Sequence, residues 1–465
     1  MNSKTDSIIY YAVKAASKFV MLLPIGIALS LGRLIGRLGY YFNSKRKRIA
    51  YQNLRIAFCA VKSDKEIRAI LKKCYVYFGQ NVIELLRFPV SIKEGIRKKV
   101  RLVGEEHIAQ AIDRKKGVIF LSIHSGNWEL SSLVGSSVGY PYNLIANPQK
   151  RNSLLDELLT SYRKAAGCKI INPGDGTREI IRRLKANEIV TLVADQGGQD
   201  GQSVDFLGRQ ASMSTGAIRL ALKYGASICL VDISREHDGS HCLTVEPFDL
   251  INDHEGDEDD VATNLQLIIK RFEEKILDHP HEYMWFYKIW KYSQDVNILI
   301  LDDGRTGHLR QSQALSNILT EALEKKGKFA AFQIVQVRFK SESTRRMCSV
   351  FAFLGQWFSG LRSMAILKLL LEDASFKELA SVSADYIVSC GSAVAGVNFL
   401  SATCQPAKSV IILKPGVLPL ERFDLVVLPA HDVPQKNNPK QKVAVTRLAL
   451  NLIDSQYMAD PAQRV

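Results

Sequence analysis

His124-Ser125-Gly126-Asn127-Trp128-Glu129 sets an imidazole and a carboxylate on either side of a glycine-containing turn. His124 follows the apolar run Gly117–Ile123 (GVIFLSI), so the spacing predicts an imidazole delivered to the C-terminal end of a strand, where α/β sheets place their sites. Ser125-Gly126-Asn127 makes the turn, Asn127 caps a helix beginning at Trp128, and Glu129, one turn into that helix, reaches back to His124. A carboxylate on one ring nitrogen fixes the tautomer. The other nitrogen can then take a proton from a hydroxyl, the general-base half of acyl transfer to an alcohol. No Gly-x-Ser-x-Gly elbow lies nearby, so direct attack by the acceptor is expected rather than a covalent intermediate. The plainer alternative is a histidine satisfied by its neighbours.

A second turn, Asp302-Asp303-Gly304-Arg305-Thr306-Gly307-His308-Leu309-Arg310-Gln311, joins the strand-like run Val296–Leu301 to a helix through Leu323. Such a turn presents backbone N–H groups and the positive end of a helix. Asp303, Gly304, Gly307, His308 and Gln311 are therefore expected to form an anion site, with a tight turn required only by packing as the alternative. The glycine spacing is not that of a dinucleotide fingerprint, and no cofactor or metal is expected.

Stepping outward from these residues, short apolar runs alternate with amphipathic segments. The runs Gly117–Ile123, Tyr142–Ala146, Cys168–Ile171, Ile189–Ala194 and Ala226–Ile233 read as strands, and Ser153–Ala166, Thr177–Ala186, Thr215–Tyr224 and Val261–Leu277 as helices. The fold class is α/β with a largely parallel or mixed sheet. Ser63 to Glu66 reads as a capping box opening a helix that Pro89 ends. Asp253–Asp260 reads as a solvated acidic loop. A second alternation begins at Val296, with strands at Val296–Leu301, Phe332–Val337, Tyr386–Ser389, Ser409–Leu413 and Asp424–Leu428; Met347–Leu371 reads as a packed or membrane-skimming pair of helices. The expected organisation is 1–45 as a membrane-associating helix and basic cluster, 46–292 as the catalytic domain, and 296–465 as one Rossmann-like domain.

The chain has 465 residues and a net charge of +15. Residues 1–120 hold 24 basic and 8 acidic residues, which points the front end at an anionic surface or partner. Phe19–Gly32 is uncharged but shorter than the roughly 20 residues of a bilayer span. It reads either as a marginal single span or as a helix dipping into one leaflet with Pro24 as its break; Lys45-Arg46-Lys47-Arg48 beyond it favours the cytoplasmic face. The eight cysteines show no Cys-x-x-Cys pair and read as buried thiols in a reducing compartment.

Over residues 5–292 the motifs resemble the lipid A biosynthesis acyltransferase family, the lauroyl and myristoyl transferases of the inner membrane. The resemblance rests on His124-Ser125-Gly126-Asn127-Trp128-Glu129, Tyr51-Gln52-Asn53-Leu54, Asn147-Pro148, Arg163, Ala194-Asp195-Gln196, Val204–Gly208 and Ser214-Thr215-Gly216. It implies transfer of a fatty acyl chain from acyl carrier protein, less often coenzyme A, to a hydroxyl of a glycolipid. It also implies a glycerolipid-acyltransferase-like domain at the cytoplasmic face of the inner membrane. On it, His124 is the base, Glu129 its orienting partner, Arg163 and Asp195 further catalytic or positioning groups, and Asn127, Trp128, Gln196 and Asn147 substrate contacts. Where the family has a Trp-x-His-x-Arg-Trp-like block, this chain has Tyr287 and Ile289. An uncharged or differently charged glycolipid or aminolipid acceptor stays open, and an aromatic interface belt also fits the stretch.

Residues 296–450 resemble the mitochondrial fission "elongated mitochondria" family, whose bacterial members look like B-type glycosyltransferases. The matching residues are Asp302–Gln311, Lys414-Pro415-Gly416, Phe423–Val427, Pro429 and His431-Asp432. Such enzymes hold the donor on a second Rossmann-like domain, and few residues follow Leu450. This half is expected not to transfer sugar alone, but to bind the acceptor or to pair with a partner chain that completes it. No nucleic-acid partner is expected. The competing readings are a non-catalytic membrane scaffold and a glycosyltransferase.

Overall fold

A computed structural model of the chain describes residues 3–42, 44–146, 153–172, 176–254, 256–355, 360–405, 407–433 and 442–452. They divide into two compact units that interleave along the sequence: Met1–Asn43, Ala69–Trp285 and Ile289–Tyr292 in the first; Ser44–Arg68, Phe286–Lys288 and Ser293–Val465 in the second. The basic run Lys45–Arg48 thus opens a helix, Ser44–Phe58, that belongs to the second unit, whereas its sequence position suggested the front.

The first unit carries β1 (Val100–Val103), β2 (Val118–Ser122), β3 (Tyr142–Ile145), β4 (Lys169–Ile171), β5 (Ile189–Val193), β6 (Gln202–Phe206), β7 (Arg209–Met213), β8 (Ser227–Arg235) and β9 (His241–Phe248). Seven of these form one mixed sheet, ordered β1-β9-β8-β2-β5-β3-β4, with every neighbouring pair parallel except β8 and β9. β2, in the middle of the sheet, is apolar and buried from Val118 to Leu121, the continuous run expected of a parallel strand inside an α/β layer. β6 and β7 form a separate antiparallel hairpin. Sequence patterning found β2, β3, β4, β5 and β8 but passed over β1, β9 and the hairpin. Each of these has polar residues or a proline where a buried strand shows an apolar run.

Among the described residues no helix is long and apolar enough to cross a membrane, so the single-span reading of Phe19–Gly32 is corrected. The run is divided between helices Ser3–Leu22 and Ile25–Phe42, because Pro24 has no N–H to continue the ladder. The buried Arg87 guanidinium takes up freed carbonyls at the break, donating to Leu23 at 2.6 Å and to Val20. The helix Ile25–Phe42 crosses the later turns of the helix Asp64–Leu86 with backbones nearly touching: a Cβ on Gly36 would stand 2.2 Å from the Tyr75 carbonyl, and one on Gly79 2.3 Å from that of Gly32.

The second unit is a six-stranded, wholly parallel sheet. Its strands are β10 (Asp295–Asp302), β11 (Phe329–Gln336), β12 (Tyr386–Cys390), β13 (Lys408–Ile412), β14 (Leu425–Pro429) and β15 (Val443–Thr446), ordered β11-β10-β12-β13-β14-β15. The expected capping box holds: Glu66 accepts from the Ser63 amide at 2.8 Å while its own amide reaches the Ser63 hydroxyl. Met347–Leu371 resolves into helices Glu342–Leu354 and Gly360–Leu370, with Cys348, Ala352, Met364 and Leu367 buried. All eight thiols are free, and all but Cys59 are buried.

Candidate active site

β2 and β5 are parallel neighbours in which Ser122 faces Val193. Two residues beyond that pair the chains carry His124 and Asp195, so the register brings the two side chains together. His124 Nδ1 lies 2.8 Å from Asp195 Oδ1, and the His124 amide donates to Oδ2 at 3.2 Å. Tyr283 Oη donates to the same Oδ2 at 3.0 Å. Asp195, with a side chain 1% exposed, accepts only; it therefore holds the imidazole proton on Nδ1 and leaves Nε2 as the acceptor. Burial alone would push the Asp195 carboxyl up, but His124's charge and hydrogen bonds, with the Tyr283 hydroxyl, hold it below its ordinary value. Burial pulls the His124 imidazole down; the charge and hydrogen bond of Asp195, and then the charge of Glu129, outweigh it and leave His124 above its ordinary value. The Trp128 ring stands edge-on to the imidazole at 5.6 Å, and the Gln196 amide nitrogen lies 3.4 Å from Nδ1 on the exposed side.

The orienting carboxylate is thus Asp195, which corrects the expectation that Glu129 holds His124. Glu129 sits on the helix Trp128–Gly135, where both of its oxygens are taken by Arg163 in three hydrogen bonds of 2.7 to 3.1 Å. Arg163, in the last turn of the helix Ser153–Ala165, brings the full charge that Glu129 needs. The His124 amide and the Tyr283 hydroxyl converge instead on Asp195. Asn127 is corrected as a substrate contact. It is buried, its Oδ1 caps Leu130 N at 3.1 Å, and its amide donates to Glu84 at 2.7 Å, so both polar atoms are spent inside the protein. Asn147 lies outside the described residues.

The His124 loop is fixed from several sides. Gly126 has φ +59° and would place a Cβ 1.7 Å from the Ile233 carbonyl. Its amide donates to Glu282 O, its carbonyl accepts from Asn81, and the His124 carbonyl accepts from Met284 N at 2.9 Å. Behind the loop, buried Arg235 pairs with Glu84 at 2.6 Å and with Asn81 at 2.9 Å. Burial pushes Glu282, which accepts from Tyr77 at 2.7 Å, up to about 7. Sequence reading missed Tyr283, Glu282, Arg235 and Glu84. The aromatic run from Tyr283 was visible, but its pairing with Asp195 is 88 residues distant. The interface-belt reading of that run is corrected for its indoles: Trp285 and Trp290 are buried.

At the second turn, Asp303 Oδ2 meets His308 Nδ1 at 2.8 Å, with Gly304 at φ +83° and Gly307 in the first turn of the helix Thr306–Glu324. The free amides expected there are partly spent: Gly304 N donates to Asp302 and Arg305 N to Asp303. Gln311 Oε1 is buried without a hydrogen bond. The acidic loop is more than a solvated stretch. Buried Asp260 accepts from the amides of Asp253, His254 and Gly256, and Asp257 caps the helix Glu258–Asp278.

Residues 2–292 match the family model "Bacterial lipid A biosynthesis acyltransferase", and residues 306–465 match "Mitochondrial fission ELM1". The chain is 27% identical over 277 residues to a lipid A biosynthesis lauroyltransferase of Escherichia coli, covering 58% of this chain and 88% of the relative. It is 21% identical over 292 residues to a lipid A biosynthesis acyltransferase of Haemophilus influenzae, covering 62% and 89%. A phosphatidylinositol mannoside acyltransferase of Mycolicibacterium smegmatis is 25% identical over 232 residues, covering 49% and 73%. With the family model spanning well over half of its length, and with an imidazole–carboxylate pair where that match lies, this chain belongs to the bacterial lipid A biosynthesis acyltransferase family and is an O-acyltransferase.

Proposed function

We propose that this protein transfers a fatty acyl chain from an acyl carrier protein thioester to a hydroxyl of a glycolipid at the cytoplasmic face of the inner membrane. The observation that carries the reading is the His124–Asp195 pair at the mouth of the sheet, backed by Tyr283. Nε2 of His124 takes the proton of the acceptor hydroxyl as its oxygen attacks the thioester carbonyl. The tetrahedral adduct collapses, the C–S bond breaks, and the sulfur leaves with the proton that His124 held. Asp195 stays ionised throughout and stabilises the imidazolium. Arg163, neutralised by Glu129, is read as a positioning residue that ties two helices beside the base; Trp128 and Gln196 are read as substrate contacts.

The relatives' names pair lipid A with phosphatidylinositol mannoside, two glycolipids, which supports a sugar-bearing lipid as acceptor. The basic front end suits an acidic carrier protein and anionic lipid heads. Exposed Ile8, Phe19, Leu22, Ile25 and Ile27 on the two N-terminal helices suit insertion into one leaflet. The second unit is read as holding the acceptor's polar part, alone or with a partner chain.

Incubating the purified protein with labelled acyl carrier protein thioester and total membrane lipid tests this. Wild type should acylate a glycolipid, and His124→Ala should lose about 1,000-fold or more in rate. Unchanged transfer in the variant would remove the mechanism, and no acylation by wild type would favour the scaffold reading.

A further inference from the structure

We propose that the second unit binds a phosphate-bearing ligand in a cavity of its own, outside the acyl-transfer site. The cavity measures about 500 Å³, and its polar lining includes Lys45, Arg48, Gln52, Lys288, Lys408 and Arg422. All of these residues belong to the same compact unit. Two of the five cations are already engaged. Lys408 meets Asp424 at 3.2 Å, and Arg422 donates to the Ala352 and Phe353 carbonyls. Lys45, Arg48 and Lys288 are exposed and take no hydrogen bond or ion pair among the described residues. Asp424, the acidic residue in the lining, is shared with Ser409 N and Oγ and with Lys408.

The helix Ser44–Phe58 sharpens the point. Its first turn holds no acidic residue and four consecutive cations, Lys45 to Arg48. Positive charge at the positive end of a helix is unfavourable, and an anion seated there reverses the sign of that interaction. Lys45, Arg48 and Gln52 follow at spacings of three and four residues, which places them on one face. Gln52 supplies a second, independent observation. It is 8% exposed, lines the cavity, and its side-chain amide has no hydrogen-bond partner among the described residues. The amide opens onto the cavity rather than into the protein, so a ligand oxygen there can accept from it. Three uncompensated cations, a helix N-terminus and an unpaired amide around one polar cavity select a phosphate rather than a cation or a fatty tail. Phosphate chemistry reaches such a site from a lipid head group or from a soluble sugar or glycerol phosphate, and the experiment separates the two.

Calorimetric titration of the full-length protein at low salt would use glycerol 3-phosphate, dihexanoyl phosphatidic acid below its micelle concentration, and glycerol as the uncharged control. Wild type should bind at least one phosphate probe and not glycerol. Arg48→Glu with Lys288→Glu should weaken binding about tenfold or more with an unchanged melting curve, and Gln52→Ala should weaken it several-fold. Should the double reversal fail to fold, Lys288→Gln alone should still cost about threefold. Preference for phosphatidic acid points to a membrane head group and preference for glycerol 3-phosphate to a soluble ligand; either upholds the site. Absence of binding by wild type, or equal affinity in wild type and variants, overturns it and leaves the His124 assay untouched.

Discussion

His124 and Asp195 share a proton across 2.8 Å, which makes the acid side of the pH–rate profile a readout of their coupling. The base must be unprotonated, so activity rises with pH through the His124 pKa, which the neighbouring carboxylates hold above its ordinary value. Asp195→Asn should therefore do two things at once: lower kcat by about 100-fold or more, and move the acid limb to lower pH. A loss of rate with an unmoved limb would show that Asp195 is not the group that raises His124. Glu282 behaves differently. Burial pushes it up to about 7, so the folded state keeps a proton that the unfolded chain gives up near the ordinary carboxylate value. Its protonated form stabilises the fold at pH 5, and that contribution is lost as pH rises toward 8. Urea denaturation should find Glu282→Gln more stable than wild type by about 1–3 kcal/mol at pH 8 and nearly equal at pH 5.

The elements that hold these groups are the strand ends of β2 and β5 and the loop between β2 and the helix Trp128–Gly135. That loop depends on Gly126. A methyl group there meets the Ile233 carbonyl at 1.7 Å in a left-handed conformation, and the backbone must move. Gly126→Ala should cost about 2–4 kcal/mol in urea unfolding and reduce acyl transfer more than the stability loss explains, because His124 shifts with the loop. The strand run GVIFLSI and the Gly126 turn were readable because buried parallel strands are continuous apolar runs and tight turns need glycine. β9 was not, since its Pro247 and alternating polar residues break the run; the Asp238-Gly239 pair before it was the hairpin signal passed over. The Leu207-Gly208 turn between β6 and β7, both residues at positive φ, was a signal of the same kind.

On the scale of the whole molecule, the apolar side chains left outside both cores bear on where the protein works. Leu22 is 84% exposed and Ile27 57% exposed on two helices that are not long and apolar enough to cross a membrane. Vesicle flotation should show the full chain on anionic vesicles, with about 0.5 M salt releasing only part of it. Leu22→Asp with Ile27→Asp should lower the bound fraction about tenfold, and equal binding would place the membrane contact elsewhere.

Sequence alone determined the two α/β alternations, the capping box at Ser63, the strand that leads to His124, and the family to which the front 292 residues belong. All of these rest on local periodicity, turn chemistry or ordered motifs. Tertiary structure decided which carboxylate serves the imidazole. Glu129 is five residues away in sequence and Asp195 is 71, yet strand register joins the distant pair while Arg163 claims the near one. It also decided that the helix opened by Lys45–Arg48 belongs to the same compact unit as the C-terminal sheet, because chain order constrains neighbours along the backbone but not which unit a helix joins.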